Sequence, residues 1–94
     1  MRRKEKLTYV PKENSTKFDL GTEQDNVKYA VMQEFVRLRK ERGVTQSDLA
    51  EATGIARPNI ARMENGSYNP TIDMMVRLAA GIGMRLEINW VEPK

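Results

Sequence analysis

Between Thr45 and Gly66 the chain reads TQSDLAEATGIARPNIARMENG, two short helical patterns on either side of a single glycine. The first pattern runs from about Gln46 to Thr53. Thr45 is its N-cap, Leu49 and Ala50 face inward, and Val44 lies just outside the first turn. Gly54 supplies the turn, where a positive φ is often needed. The second pattern runs from about Arg57 to Asn65, with Ile60 and Met63 inward and Ile55 packing at its start. Arg57, Asn59 and Arg62 share the opposite side. Pro58 falls in the first turn, where the amide it lacks would have no helical partner.

The flanks organise around this pair. A preceding helix is expected to start near Asp25 or Asn26 and to bury Val27, Val31, Phe35 and Leu38, which recur at helical spacing. Gly43 ends it. The cluster RLRKER in its last turns suits the negative end of the helix dipole, and its cations are either a solvated basic face or within reach of phosphates. After Asn65-Gly66 comes a polar loop, SYNP. A fourth helix then begins near Thr71, carries Ile72, Met75, Leu78, Ala79 and Ile82, and is closed by Gly81 and Gly83. Beyond it the period changes: Met84, Leu86, Ile88 and Trp90 alternate with Arg85, Glu87, Asn89 and Val91, which is strand spacing. A lone strand cannot satisfy its own backbone. Pairing with the same strand of a second subunit would give a two-fold dimer; the rivals are pairing with the segment LTYV near the N-terminus or with a strand of another protein.

These patterns divide the chain into an arm over 1–26, a helical domain over 27–83 with the paired helices at 45–65, and a strand and tail over 84–94. The arm holds Pro11, Gly21 and many Ser, Thr and Asn residues, a composition that cannot by itself bury enough surface to offset ordering entropy. Leu7, Tyr9, Val10, Phe18 and Leu20 are its apolar exceptions. They are candidates for docking on a partner or on the domain itself; an inert tail is the alternative.

The 94 residues suffice for one small domain with one core. With no cysteine, neither disulfides nor thiolate metal sites can brace it, and with no histidine the commonest general base and metal ligand are missing. Catalysis is therefore not expected, and neither a cofactor nor a metal is called for. Asp19, Glu23 and Asp25 are the only clustered carboxylates, and they lie in or beside the arm, where positioning is poor. No apolar run approaches the roughly 18 residues of a membrane span, and the basic MRRKEK start is not followed by a signal-peptide apolar region. A cytoplasmic protein is expected. The net charge of +3 is compatible with nucleic acid but also with any soluble basic domain.

Two helices joined by a glycine turn, with cations on the outer face of the second, have the layout of a helix-turn-helix, whose second helix lies in the major groove of DNA. Gln46 sits in the first turn of the leading helix, where free backbone amides also point outward; its side chain and those amides together suit a phosphate oxygen, and Thr45 and Ser47 beside it are candidates for the same contact. Arg57 and Arg62 can grip guanine through two bonds and Asn59 can grip adenine the same way, while Pro58 offers an apolar face to a thymine methyl. Asn65, Ser67 and Asn69 follow and are candidates for neighbouring phosphates; a simple helix cap is the other reading of Asn65-Gly66. Glu64, acidic beside the proposed groove, is expected to hold backbone amides or an arginine rather than DNA.

The spacing TQxxLAxxxGI…I…MENG…NPTI…LA resembles the Cro/repressor-type helix-turn-helix family, with the fold of the phage lambda repressor DNA-binding domain, over about Phe35 to Ile82. The resemblance implies an all-α, lambda repressor-like bundle, to which the strand pattern adds a C-terminal β-strand for dimerisation. It also implies phosphate contacts at Gln46 and Asn65 and base reading at Arg57, Pro58, Asn59 and Arg62. Ala56 departs from the family, which often places a capping Ser or Thr there; the missing cap costs on the order of 1 kcal/mol. The arm, the long first helix and the stretch ARMENG…NPTIDMMVRLAAGIGMRLEI are similar to HigA-like antitoxins. That resemblance implies a bacterial repressor dimer on a palindromic operator of double-stranded DNA, associated with the nucleoid when bound. It also implies a cognate toxin that cleaves mRNA. A stand-alone repressor, and a protein-interaction module that no longer reads DNA, are the competing functions.

Overall fold

The computed structural model describes residues 20–92, so the candidate docking residues Leu7, Tyr9, Val10 and Phe18, and the LTYV segment, lie outside the described residues. Four helices follow in order: α1 (Leu20–Glu41), α2 (Gln46–Thr53), α3 (Arg57–Glu64) and α4 (Ile72–Gly81). Leu49, Ile60 and Met63 are completely buried, and Met32, Ile55, Leu78 and Ile82 complete the core around them. The inward positions of α2 and α3 are thus those the spacing predicts.

Each short helix has an identifiable start and stop. Thr45 caps α2 through a reciprocal box: its hydroxyl accepts from the Asp48 amide at 2.9 Å, and the Asp48 carboxylate accepts from the Thr45 amide at 3.1 Å. Gly54 ends α2 in the left-handed region, at φ 76°. Thr71 caps α4 by accepting from the Met74 amide. Ala56 holds the N-cap position of α3 and makes no side-chain cap bond. The last residue of α4, Gly81, lies where a Cβ would stand 2.6 Å from Leu49 Cδ1 and 2.7 Å from Thr53 Cγ2. Its missing side chain is what lets α4 approach α2.

α1 is longer than expected. It begins at Leu20, and Asp25 and Asn26 lie inside it rather than capping it. Glu23 in the first turn complements the positive end of the dipole. At about 1.5 Å per residue its 22 residues reach well past the shorter helices. Leu20 and Val27 are consequently exposed, and the buried stripe is set by Met32 together with the partly buried Val31, Phe35 and Leu38. On α4, Ile72 and Val76 face out and Leu78 and Ala79 face in.

The expected C-terminal β-strand is not formed: the described residues contain four helices and no strand. The chain leaves α4 through a tight turn in which the Gly83 amide bonds the Ala80 carbonyl and the Met84 amide bonds the Ala79 carbonyl at 2.8 Å. No described strand lies beside the next residues to complete a ladder. The alternating pattern has a different physical use at its start. Met84 and Leu86 are half-buried and line an apolar groove with Phe35 and Leu38 of α1 and Leu78 of α4, whereas Ile88 and Trp90 are exposed, Trp90 almost completely.

Candidate nucleic-acid interface

The turn between α1 and α2, the first turn of α2 and the first residue of α3 form one recess on the surface. Lys40, Thr45, Gln46, Ser47 and Arg57 line it, with Arg39 at its base. The first amides of α2 open toward it, because a helix has no internal acceptor for them. Asp48, the acid of that turn, is occupied by the Thr45 cap, whose amide first and hydroxyl second hold its carboxyl below the usual aspartate range.

A buried polar network fixes the floor of this recess. Arg39 donates from Nε to Glu64 Oε2 at 2.7 Å and from Nη2 to Glu64 Oε1 at 2.9 Å, the bidentate geometry that makes such pairs strong. Its Nη1 donates to the Val44 carbonyl at 2.9 Å, tying the α1–α2 turn to the same guanidinium. The side chains of Arg39 and Glu64 are only 9% and 8% exposed. Gln46 Nε2 then donates to Glu64 Oε1 at 2.9 Å. A carboxylate only accepts, so this contact determines which way the Gln46 amide is turned: nitrogen toward Glu64, with its second hydrogen free to point elsewhere. Glu64 therefore serves an arginine, as expected, and orients Gln46 as well.

The basic cluster that ends α1 is divided among separate tasks. Arg37 pairs with Glu34 and Glu41, Arg39 with Glu64, and Arg42 donates to the Ile82 carbonyl at the end of α4. Lys40 alone of these lines the recess beside Arg39. Sequence reasoning left both Arg39 and Lys40 without individual roles. Arg39 was findable, because it follows Met32 and Phe35 at the i, i+3, i+7 spacing of the buried stripe.

On α3, Arg57, Pro58 and Arg62 are exposed on the side away from the buried Ile60 and Met63, and Asn59 is half-buried. Arg62 Nη1 donates to Asn59 Oδ1 at 2.8 Å. Just past the helix, Asn65 Oδ1 accepts from the Ser67 amide at 2.9 Å and from the Ser67 hydroxyl, so these two residues close α3 on each other. Asn69 lies elsewhere: it accepts from Lys28 Nζ at 2.9 Å and lines the groove between α1 and the α3–α4 loop. Met84, Leu86, Ile88 and Trp90 are in the C-terminal segment, and Leu20, the one described member of the N-terminal apolar set, is the exposed first residue of α1. Among the described residues no group of acidic side chains is arranged to hold a metal ion, and no helix is long and apolar enough to cross a membrane.

Comparison with known proteins agrees with this geometry. An uncharacterized HTH-type transcriptional regulator of Haemophilus influenzae is 32% identical over 65 residues, 69% of this chain and 66% of that protein. A second, from Methanothermobacter thermautotrophicus, is 42% identical over 45 residues, 48% of this chain and 65% of that protein. The immunity repressor protein of Bacillus phage phi105 is 34% identical over 56 residues, 60% of this chain and 39% of that protein. The chain thus spans just under two thirds of the length of the first two relatives. The model of the helix-turn-helix family HTH_3 matches residues 36–89, more than half of the sequence and all of α2, the turn, α3 and α4. The chain belongs to the helix-turn-helix family.

Proposed function

We propose that this chain is a sequence-specific DNA-binding transcription regulator that places α3 in the major groove and the first turn of α2 against the phosphate backbone. The observation that carries the reading is the Arg39–Glu64–Gln46 network. It orients Gln46 and ties the α1–α2 turn at the floor of a recess that Arg57 also lines, while Arg62 and Asn59 are joined to each other on α3. Arg57, Pro58, Asn59 and Arg62 meet base edges; Thr45, Gln46, Ser47 and Lys40 meet phosphates, with Asn65 and Ser67 following them along the backbone. The relatives named as transcriptional regulators and as a repressor support the same class.

The protein acts as a homodimer on an imperfect palindrome, with half-sites about one helical turn apart. Ile72 and Val76, exposed and one turn apart on α4, suit a contact between copies. A finer reading, in which the protein also neutralises a toxin partner, draws on the N-terminal half of α1, where Leu20, Val27 and Tyr29 are exposed.

The test is fluorescence anisotropy of the full chain with labelled duplexes across a salt series. Phosphate neutralisation makes log affinity fall linearly with log salt, and Gln46→Ala weakens binding to all duplexes alike. Absence of binding to any duplex at low salt refutes the reading and favours a protein-interaction module.

A further inference from the structure

The hydrogen bond between Arg62 and Asn59 bears on what the helix reads. We infer that Asn59 is not an independent reader of adenine but a positioning residue for Arg62, and that together they select guanine. The inference rests on the proposal that α3 enters the major groove.

The two residues are three apart on α3, so their side chains rise from neighbouring positions on one face. Arginine has donors only, so the Asn59 atom that meets Arg62 Nη1 at 2.8 Å must be the amide oxygen. That assignment settles how each side chain is used. To grip adenine, asparagine needs its oxygen for the N6 amino group and its nitrogen for N7. Here a guanidinium stands beside the oxygen, so an adenine at that place would bring its N6 donor against a second donor. The outward edge of the pair consists of donors: the Asn59 Nδ2 hydrogens, and the Arg62 hydrogens not spent on Asn59. Guanine, which shows two acceptors, O6 and N7, in the major groove, is the base that matches it.

The bond also acts on Arg62 before DNA arrives. Arg62 is exposed, and nothing else described on α3 fixes its guanidinium. Holding it in one orientation removes part of the rotamer freedom otherwise lost on binding, a gain of about 2- to 12-fold for one long side chain. Asn59 is half-buried and is the more constrained of the two, which suits it to orient the longer residue.

The experiment is binding-site selection from a duplex library with a randomised core, using the full chain. Competition among duplexes carrying each of the four bases at the selected positions follows. Five proteins are compared: the natural chain, Asn59→Ala, Arg62→Ala, the double substitution, and Asn59→Asp, the variant that keeps an acceptor. Circular dichroism confirms that each is folded. The natural chain selects a guanine in each half-site. Arg62→Ala erases that preference by about 5- to 150-fold, the range for one bidentate contact. Asn59→Ala weakens preference at the same base pair by about 2- to 12-fold. The double substitution discriminates no worse than Arg62→Ala alone, and Asn59→Asp retains more guanine preference than Asn59→Ala. The inference is overturned if Asn59→Ala instead relaxes a separate, adenine-selecting position and leaves the guanine intact, or if the two losses multiply. If the natural chain enriches no duplex, DNA reading itself falls, and the pairing with it.

Discussion

Replacing Arg39 with methionine keeps the apolar stem of the side chain and removes its charge and its three hydrogen bonds. The carboxylate of Glu64, 8% exposed, then keeps only the Gln46 amide of the donors described above, and the Val44 carbonyl loses the Arg39 donor. Removing one partner of a buried ion pair typically costs about 3–5 kcal/mol, because the remaining charge stays desolvated. A chain of this length has a total stability of about 5–14 kcal/mol, so Arg39→Met consumes a large share of it. At about 4–8 °C per kcal/mol for a domain of this size, the melting temperature falls by at least about 12 °C. Urea unfolding at 25 °C followed by circular dichroism measures the loss directly. The double substitution Arg39→Met/Glu64→Leu removes both charges and recovers most of the stability. It leaves Gln46 without its acceptor, so the recovered protein still binds duplex DNA more weakly than the natural chain. A loss below about 1 kcal/mol for Arg39→Met, the range of solvent-exposed pairs, refutes the reasoning. A double variant as unstable as the single one shows that buried charge is not the cause.

Three further outcomes follow from local geometry. Gly81→Ala drives a Cβ into the side chains of Leu49, which is fully buried, and Thr53; it destabilises by about 1–3 kcal/mol in thermal unfolding despite alanine's better helix propensity, and an unchanged or raised melting temperature contradicts the close α2–α4 approach. Ala56→Ser supplies the cap that α3 lacks and stabilises by about 1 kcal/mol in denaturant unfolding; no gain shows that the α3 amides are already satisfied. Asp48 has its pKa lowered in the folded state by the Thr45 amide and hydroxyl, so its contribution is complete at pH above the ordinary aspartate value and is lost as pH falls through the lowered one. The stability difference between the natural chain and Asp48→Asn therefore narrows on acidification, and a pH-independent difference rules out the charged cap.

Much of the fold was legible because short-range rules decide it. Thr45, Gly54, Ile60 and Met63 do what their spacing predicts, since caps, left-handed turns and helical periodicity are local properties. The failures are tertiary. The alternation of Met84, Leu86, Ile88 and Trp90 has strand period, but a strand also needs a neighbour, and periodicity carries no information about one. Helical spacing predicted that Ile72 faces inward, yet it is exposed: it is the first residue of α4, and only the later members of the same stripe, Leu78, Ala79 and Ile82, are buried. In the interface, residue types on α3 were visible in sequence, whereas their pairing was not. Arg39 reads as one more cation in RLRKER until its bond to Glu64, 25 residues away, sets it apart.

The most direct measurement is a two-dimensional amide NMR titration of the isotope-labelled full chain with a duplex obtained by selection. DNA reading through this face predicts the largest shift changes at Gln46, Ser47, Arg57, Asn59 and Arg62, with the side-chain amides of Gln46 and Asn59 among them. Changes confined to the N-terminal half of α1, or to the groove between α1, α4 and Met84, would contradict it and place any contact with DNA on a different surface.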